Sequence, residues 1–122
     1  MVILIVNGDH DFRNIVRIIL KPYGYDVVEA GSYREGFWRA VEFKPQIVLM
    51  DNIITSKSGI DLCRDIQAIS GMQATEFLIF TDFDDELEKV VGISIMGVIK
   101  KPYIFPELRK LLPFSSIQEQ AG

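Results

Sequence analysis

Apolar positions in this chain follow two alternating rhythms. Uninterrupted runs of about five residues alternate with stretches in which apolar residues return every three or four positions, the signatures of buried strands and amphipathic helices. Val2-Ile3-Leu4-Ile5-Val6 is the first run. Asp9 then stands as an N-cap for a helix carrying Phe12, Ile15, Val16 and Ile19 on its inner stripe, and Pro22 and Gly24 close it. Tyr25 to Ala30 alternates like an outer strand, after which Ser32 caps a helix with Tyr33, Phe37, Ala40 and Val41 on one face. Trp38 falls about 100° away from that stripe and is expected to be at least partly exposed. Ile47 to Asp51 forms the third apolar run. A polar loop follows, Ser58-Gly59 opens a helix from Ile60 to about Ile69, and Phe77 to Thr81 is the fourth strand. Asp84, Asp85 and Glu86 place negative charge at the start of a fourth helix with Leu87, Val90 and Val91 on its inner face. A fifth strand ends near Lys100, and a final helix from about Pro106 is stopped by Pro113.

Five strand-helix units of this length predict one α/β domain with a doubly wound parallel sheet of flavodoxin-like strand order 2-1-3-4-5, in three layers. The expected boundaries are a domain over residues 1–114 and a polar C-terminal tail over 115–122. At 122 residues and 48% hydrophobic content, the chain can bury a real core without disulfides or a structural metal. The single Cys63 permits no internal disulfide, which fits a reducing, cytoplasmic setting, and its apolar neighbours mark it as a buried thiol. The apolar start ends at Asn7, too short for a signal peptide or membrane span. A net charge of -4 with no basic stripe argues against direct nucleic-acid binding.

Three of the strands end in residues suited to phosphoryl chemistry: Asp51, Thr81 and Lys100-Lys101. Ligands of open parallel sheets bind beyond the carboxyl ends of the strands, so Asp51, Thr81 and Lys101 are expected to meet in one pocket as nucleophile, hydroxyl donor and fixed cation. Each residue also has an ordinary structural reading, an Asp as a turn former and a Thr as a helix cap. A phosphatase of the haloacid-dehalogenase type would need a second Asp where Ile53 stands.

Across nearly its whole length the chain resembles a response-regulator receiver domain. The matching parts are Ile3 to Val6 before an Asx-rich turn, Pro45 to Asp51, the Ser58-Gly59 step, Thr81, and Gly97 to Pro102 with its Lys-Pro. The resemblance implies a signalling module rather than an enzyme in the ordinary sense, with self-phosphorylation and autodephosphorylation at Asp51 at most. Asp51 would accept a phosphoryl group from a sensor histidine kinase or phosphotransfer protein, Lys101 would pair with the phosphoryl oxygens, and Thr81 would hydrogen-bond them. Mg²⁺ would be held by Asp51 and the Ile53 backbone carbonyl, with Asn7 and Asp9 as weaker contributors. The partners implied are a downstream effector or fused output domain, and a second copy of the chain through the face of the fourth helix, fifth strand and fifth helix.

Departures from the pattern bear on the metal and on switching. Asn7-Gly8 replaces the two acidic residues that the family carries after its first strand, which should leave Mg²⁺ weakly held. Asp9 sits where a helix cap is expected, and His10 takes a position usually held by Pro. Thr55 replaces a usual Pro, and Lys57 and Asp82 add charges beside the pocket. Val98 replaces the aromatic ring that, in much of the family, swings inward when the hydroxyl at the Thr81 position moves. A second reading follows from these changes: a pseudo-receiver acting as a phosphorylation-independent interaction module.

Overall fold

The computed structural model describes residues 1–51, 53–54, 57–81 and 95–100. In order, its elements are β1 (Val2–Val6), α1 (His10–Leu20), a 3₁₀ turn (Lys21–Tyr23), β2 (Asp26–Ala30), α2 (Tyr33–Phe43), β3 (Ile47–Asp51), β4 (Ile53–Ile54), β5 (Lys57–Ser58), α3 (Gly59–Gln67), β6 (Glu76–Thr81) and β7 (Ile95–Lys100). The five long strands form one parallel sheet in the order β2-β1-β3-β6-β7. Leaving aside the short β4–β5 pair, this is the expected 2-1-3-4-5 order.

The apolar runs become strands because both faces of the sheet are covered. Leu4, Val6, Val48, Met50, Phe77 and Ile79 point into one core, which α2 and α3 close with Ala40, Leu62, Cys63 and Ile66. Ile3, Ile5, Ile47, Leu49, Leu78 and Phe80 point into the other, closed by Val16 and Leu20 of α1. Phe12 meets Phe80 edge-on across that second core. Gly36 lets α2 approach closely, since a Cβ there would lie 3.0 Å from Leu62 and 3.1 Å from Val6.

Sequence and structure part in three places. Ile15, expected on the inner stripe of α1, is exposed, as is Ile18, while Leu20 is buried. The loop after Asp51 contains a short antiparallel ribbon, in which Ile53 pairs with Ser58 and Ile54 with Lys57. The third helix ends at Gln67 rather than near Ile69. Trp38 is exposed as expected and stands edge-on against Phe37. The expected fourth and fifth helices and the C-terminal tail lie outside the described residues.

Candidate functional site

Parallel strands bring their carboxyl ends to one edge, and the register there fixes which residues become neighbours. Asp51, the last residue of β3, pairs with Phe80, so Thr81 follows immediately beside it at the end of β6. Thr81 in turn pairs with Lys100, the last residue of β7. On the other side Val6 pairs with Met50, which puts Asn7 and Asp51 at the next position of their strands. Asp51 is half-buried. Its backbone is tightly packed: a Cβ on Gly59, the first residue of α3, would lie 2.1 Å from the Asp51 carbonyl oxygen. Only glycine fits there, which gives the Ser58-Gly59 step a physical reason. Lys101 and Asp82 lie outside the described residues.

The turn from β1 to α1 is closed by its own hydrogen bonds. Asn7, buried, donates its N–H to the Ala30 carbonyl at 3.0 Å, while its Oδ1 accepts from Asp9 N–H at 2.8 Å. Asp9 is the N-cap of α1, its Oδ1 accepting from the N–H groups of Asp11 and Phe12 at 2.9 and 3.3 Å. Capping is therefore the role the geometry shows for Asp9. His10 is exposed and lies beside Asp11. Arg13 was missed in the sequence reading: its Nη1 donates to the Asn7 carbonyl at 2.6 Å and its Nε to Glu29 at 3.2 Å. No sequence period marks such a residue, because its partners lie on the turn and on β2.

A hard divalent cation favours several carboxylate oxygens. On the β1 side the donors are one amide oxygen already accepting a hydrogen bond and a carboxylate engaged as a helix cap, and Gly8 offers no side chain. Among the described residues no group of three or more His, Cys, Asp or Glu could hold a metal ion.

The sheet order and the register at the strand ends define the class: a flavodoxin-like doubly wound domain with a carboxylate at its carboxyl edge. The profile of the response regulator receiver domain family matches residues 3–113, and the chain belongs to that family. Receiver domains are signalling domains of two-component systems. The DNA-binding response regulator MtrA of Mycolicibacterium paratuberculosis is 29% identical over 108 residues, which cover 87% of this chain and 47% of MtrA. The chain thus spans about half the length of that relative. Among solved structures, chemotaxis protein CheY4 of Vibrio cholerae superposes with a TM-score of 0.79 at 20% identity, covering 91% of this chain and 98% of CheY4. Response regulator TrrA of Thermotoga maritima, solved in complex with Mg²⁺ and BeF, gives 0.75 at 19% identity, covering 91% and 98%. These structural likenesses establish the fold. No helix among the described residues is long and apolar enough to cross a membrane.

Proposed function

We propose that this receiver domain accepts a phosphoryl group on Asp51 from a sensor histidine kinase or phosphotransfer protein. The observation that carries the reading is the register of the carboxyl edge, where Asp51 and Thr81 end neighbouring strands and Lys100, next in sequence to Lys101, ends the third. A carboxylate oxygen of Asp51 attacks phosphorus, the bond to the donor's imidazole nitrogen breaks, and that nitrogen leaves with its electron pair, giving an acyl phosphate. Lys101 supports the negative charge on the phosphoryl oxygens, and the Thr81 hydroxyl donates to one of them. Mg²⁺ binds in the millimolar range or more weakly, through Asp51, the Ile53 carbonyl and water.

Donor access has a physical candidate. α1 begins at the carboxyl edge and presents Ile15 and Ile18 outward, an apolar pair on which a donor helix can seat beside the acceptor. The acyl phosphate is read by a downstream effector or by an output domain in the same polypeptide, and the cytoplasm is the compartment that supplies such donors. Residues 1–114 form the receiver unit, with 115–122 as a tail.

Incubation with acetyl phosphate and Mg²⁺, followed by mass spectrometry, tests the acceptor. The expected result is a hydroxylamine-labile gain of one phosphoryl group that Asp51→Asn abolishes. Label persisting in that variant would move the chemistry to another carboxylate. Absence of label in the unaltered protein would favour the pseudo-receiver.

A further inference from the structure

On the face of the sheet away from α1, α2 and α3 lie side by side with a groove between them. Both helices are crossovers of one parallel sheet, so they run in the same direction, and the bond from the Tyr33 hydroxyl to Asp65 fixes their levels. One turn further along, Phe37 and Trp38 stand level with Ala68. Arg34 completes the lining of this groove, whose volume is about 540 Å³. Arg34 and Trp38, one turn apart on α2, also bound a second hollow on the far side with Ser32, Glu35 and Glu42, and so form a ridge between the two. The ridge faces solvent. Trp38 is 58% exposed, with its ring edge-on to Phe37 at 5.3 Å, and Arg34 is exposed and forms no ion pair among the described residues.

We propose that this ridge and groove form an interface at which the chain pairs with a second copy of itself, through a face separate from the one that the resemblance to receivers implies for self-association. A two-fold axis parallel to the helices keeps levels and exchanges sides, so each ridge enters the other copy's groove. Trp38 then covers Phe37 and the small Ala68 of the second copy, and Arg34 meets the carboxylate of its Asp65, each contact occurring twice by symmetry. The patch is self-complementary in shape and in charge, because bulk faces a small residue and a guanidinium faces a carboxylate at the same helical level. A foreign partner would need only the groove or only the ridge. The two side by side and matched in level are what an isologous contact requires. Tryptophan and arginine are also the side chains that most often anchor interfaces. The claim concerns assembly and stands whether or not Asp51 accepts phosphate.

Trp38 is the only tryptophan in the chain, so intrinsic fluorescence reads this contact directly. Raising the protein from micromolar to millimolar concentration should shift its emission to shorter wavelength, in step with a monomer-to-dimer transition in sedimentation equilibrium. Trp38→Ala should weaken the dimer at least about tenfold. Arg34→Asp and Asp65→Arg should each weaken it by a similar factor, because either change places like charges opposite each other at both symmetric contacts. An equimolar mixture of those two variants should recover dimerisation, since in the mixed dimer every carboxylate again faces a guanidinium. Circular dichroism confirms that each variant is folded. Should Asp65→Arg, which also removes the bond from Tyr33, fail to fold, Trp38→Ala and Arg34→Asp carry the test. A chain that stays monomeric, a dimer that forms with Trp38 emission unshifted or that Trp38→Ala leaves intact, or folded charge variants whose mixture does not recover would overturn the proposal and leave the groove to a different partner.

Discussion

Gly59 shows how a single residue links packing to the candidate chemistry. A methyl group there would sit 2.1 Å from the carbonyl oxygen of Asp51, closer than non-bonded atoms can approach, and the obstacle is backbone rather than a movable side chain. Gly59→Ala must therefore push α3 away from the end of β3. We expect a loss of about 3 kcal/mol in urea unfolding, at the upper end of overpacking effects, and slower phosphoryl transfer to a displaced Asp51. Stability within about 0.5 kcal/mol of the unaltered protein would mean that the strand end yields easily. Cys63 marks the opposite case, a residue whose chemistry is switched off by its surroundings. It is fully buried among Leu62, Ile66 and the strands, and burial pushes its thiol well above the usual range, so it stays protonated and unreactive at neutral pH.

At the scale of elements, α2 and α3 are tied by more than apolar packing. Tyr33 at the start of α2 donates its hydroxyl to Asp65 on α3. Burial, that hydrogen bond, and the negative charges of Asp65 and Asp61 all raise the Tyr33 pKa above the ordinary tyrosine value. A raised folded pKa gives stability that is complete below about pH 10, the unfolded value, and is lost as pH rises beyond it. The unfolding midpoint should accordingly fall in alkali. Tyr33→Phe should flatten that slope without removing it, because Tyr25, pushed up by burial, contributes in the same direction. An alkaline melting profile identical in the variant would show that the hydroxyl carries no linkage. Helix starts of this kind were legible in sequence: Ser32 accepts from Glu35 N–H, Glu35 returns to Gly31 N–H, and Asp9 caps α1. Ile15 was not, since Ile15, Ile18, Ile19 and Leu20 surround much of α1 and periodicity cannot choose among them. The β4–β5 ribbon was equally hidden, because two-residue strands carry no period. A rule about strand ends places Asp51 and Thr81 side by side at the carboxyl edge, as the register has them, whereas Arg13 pairs with Glu29 across 16 positions and with a backbone carbonyl, neither of which leaves a pattern in sequence.

For the whole molecule, the question is how far a change at the carboxyl edge travels. The sheet is packed on both faces, with Phe77 and Ile79 in one core and Leu78 and Phe80 in the other, so β6 has little freedom to shift as a body. Transmission then depends on side chains that can change place beside it. Val98 lies opposite Ile79 in the register of β7, and the resemblance to receivers implies that much of the family has a mobile aromatic ring at that position. A valine has neither a ring to swing nor a group to engage the Thr81 hydroxyl. The face expected in sequence from a fourth helix, the fifth strand of the sheet and a fifth helix should consequently bind a second copy or an effector with an affinity that phosphorylation changes less than about tenfold, or under ~1.4 kcal/mol of coupling. Pro113, which stops the expected final helix, lies outside the described residues. Sedimentation velocity with and without beryllofluoride, at Mg²⁺ high enough to load a weak site, measures the coupling. A sedimentation coefficient that stays near its starting value on adding the mimic is the expected result. A monomer that becomes a stable dimer only with the mimic would require another route from Asp51 to the surface, independent of a ring at position 98.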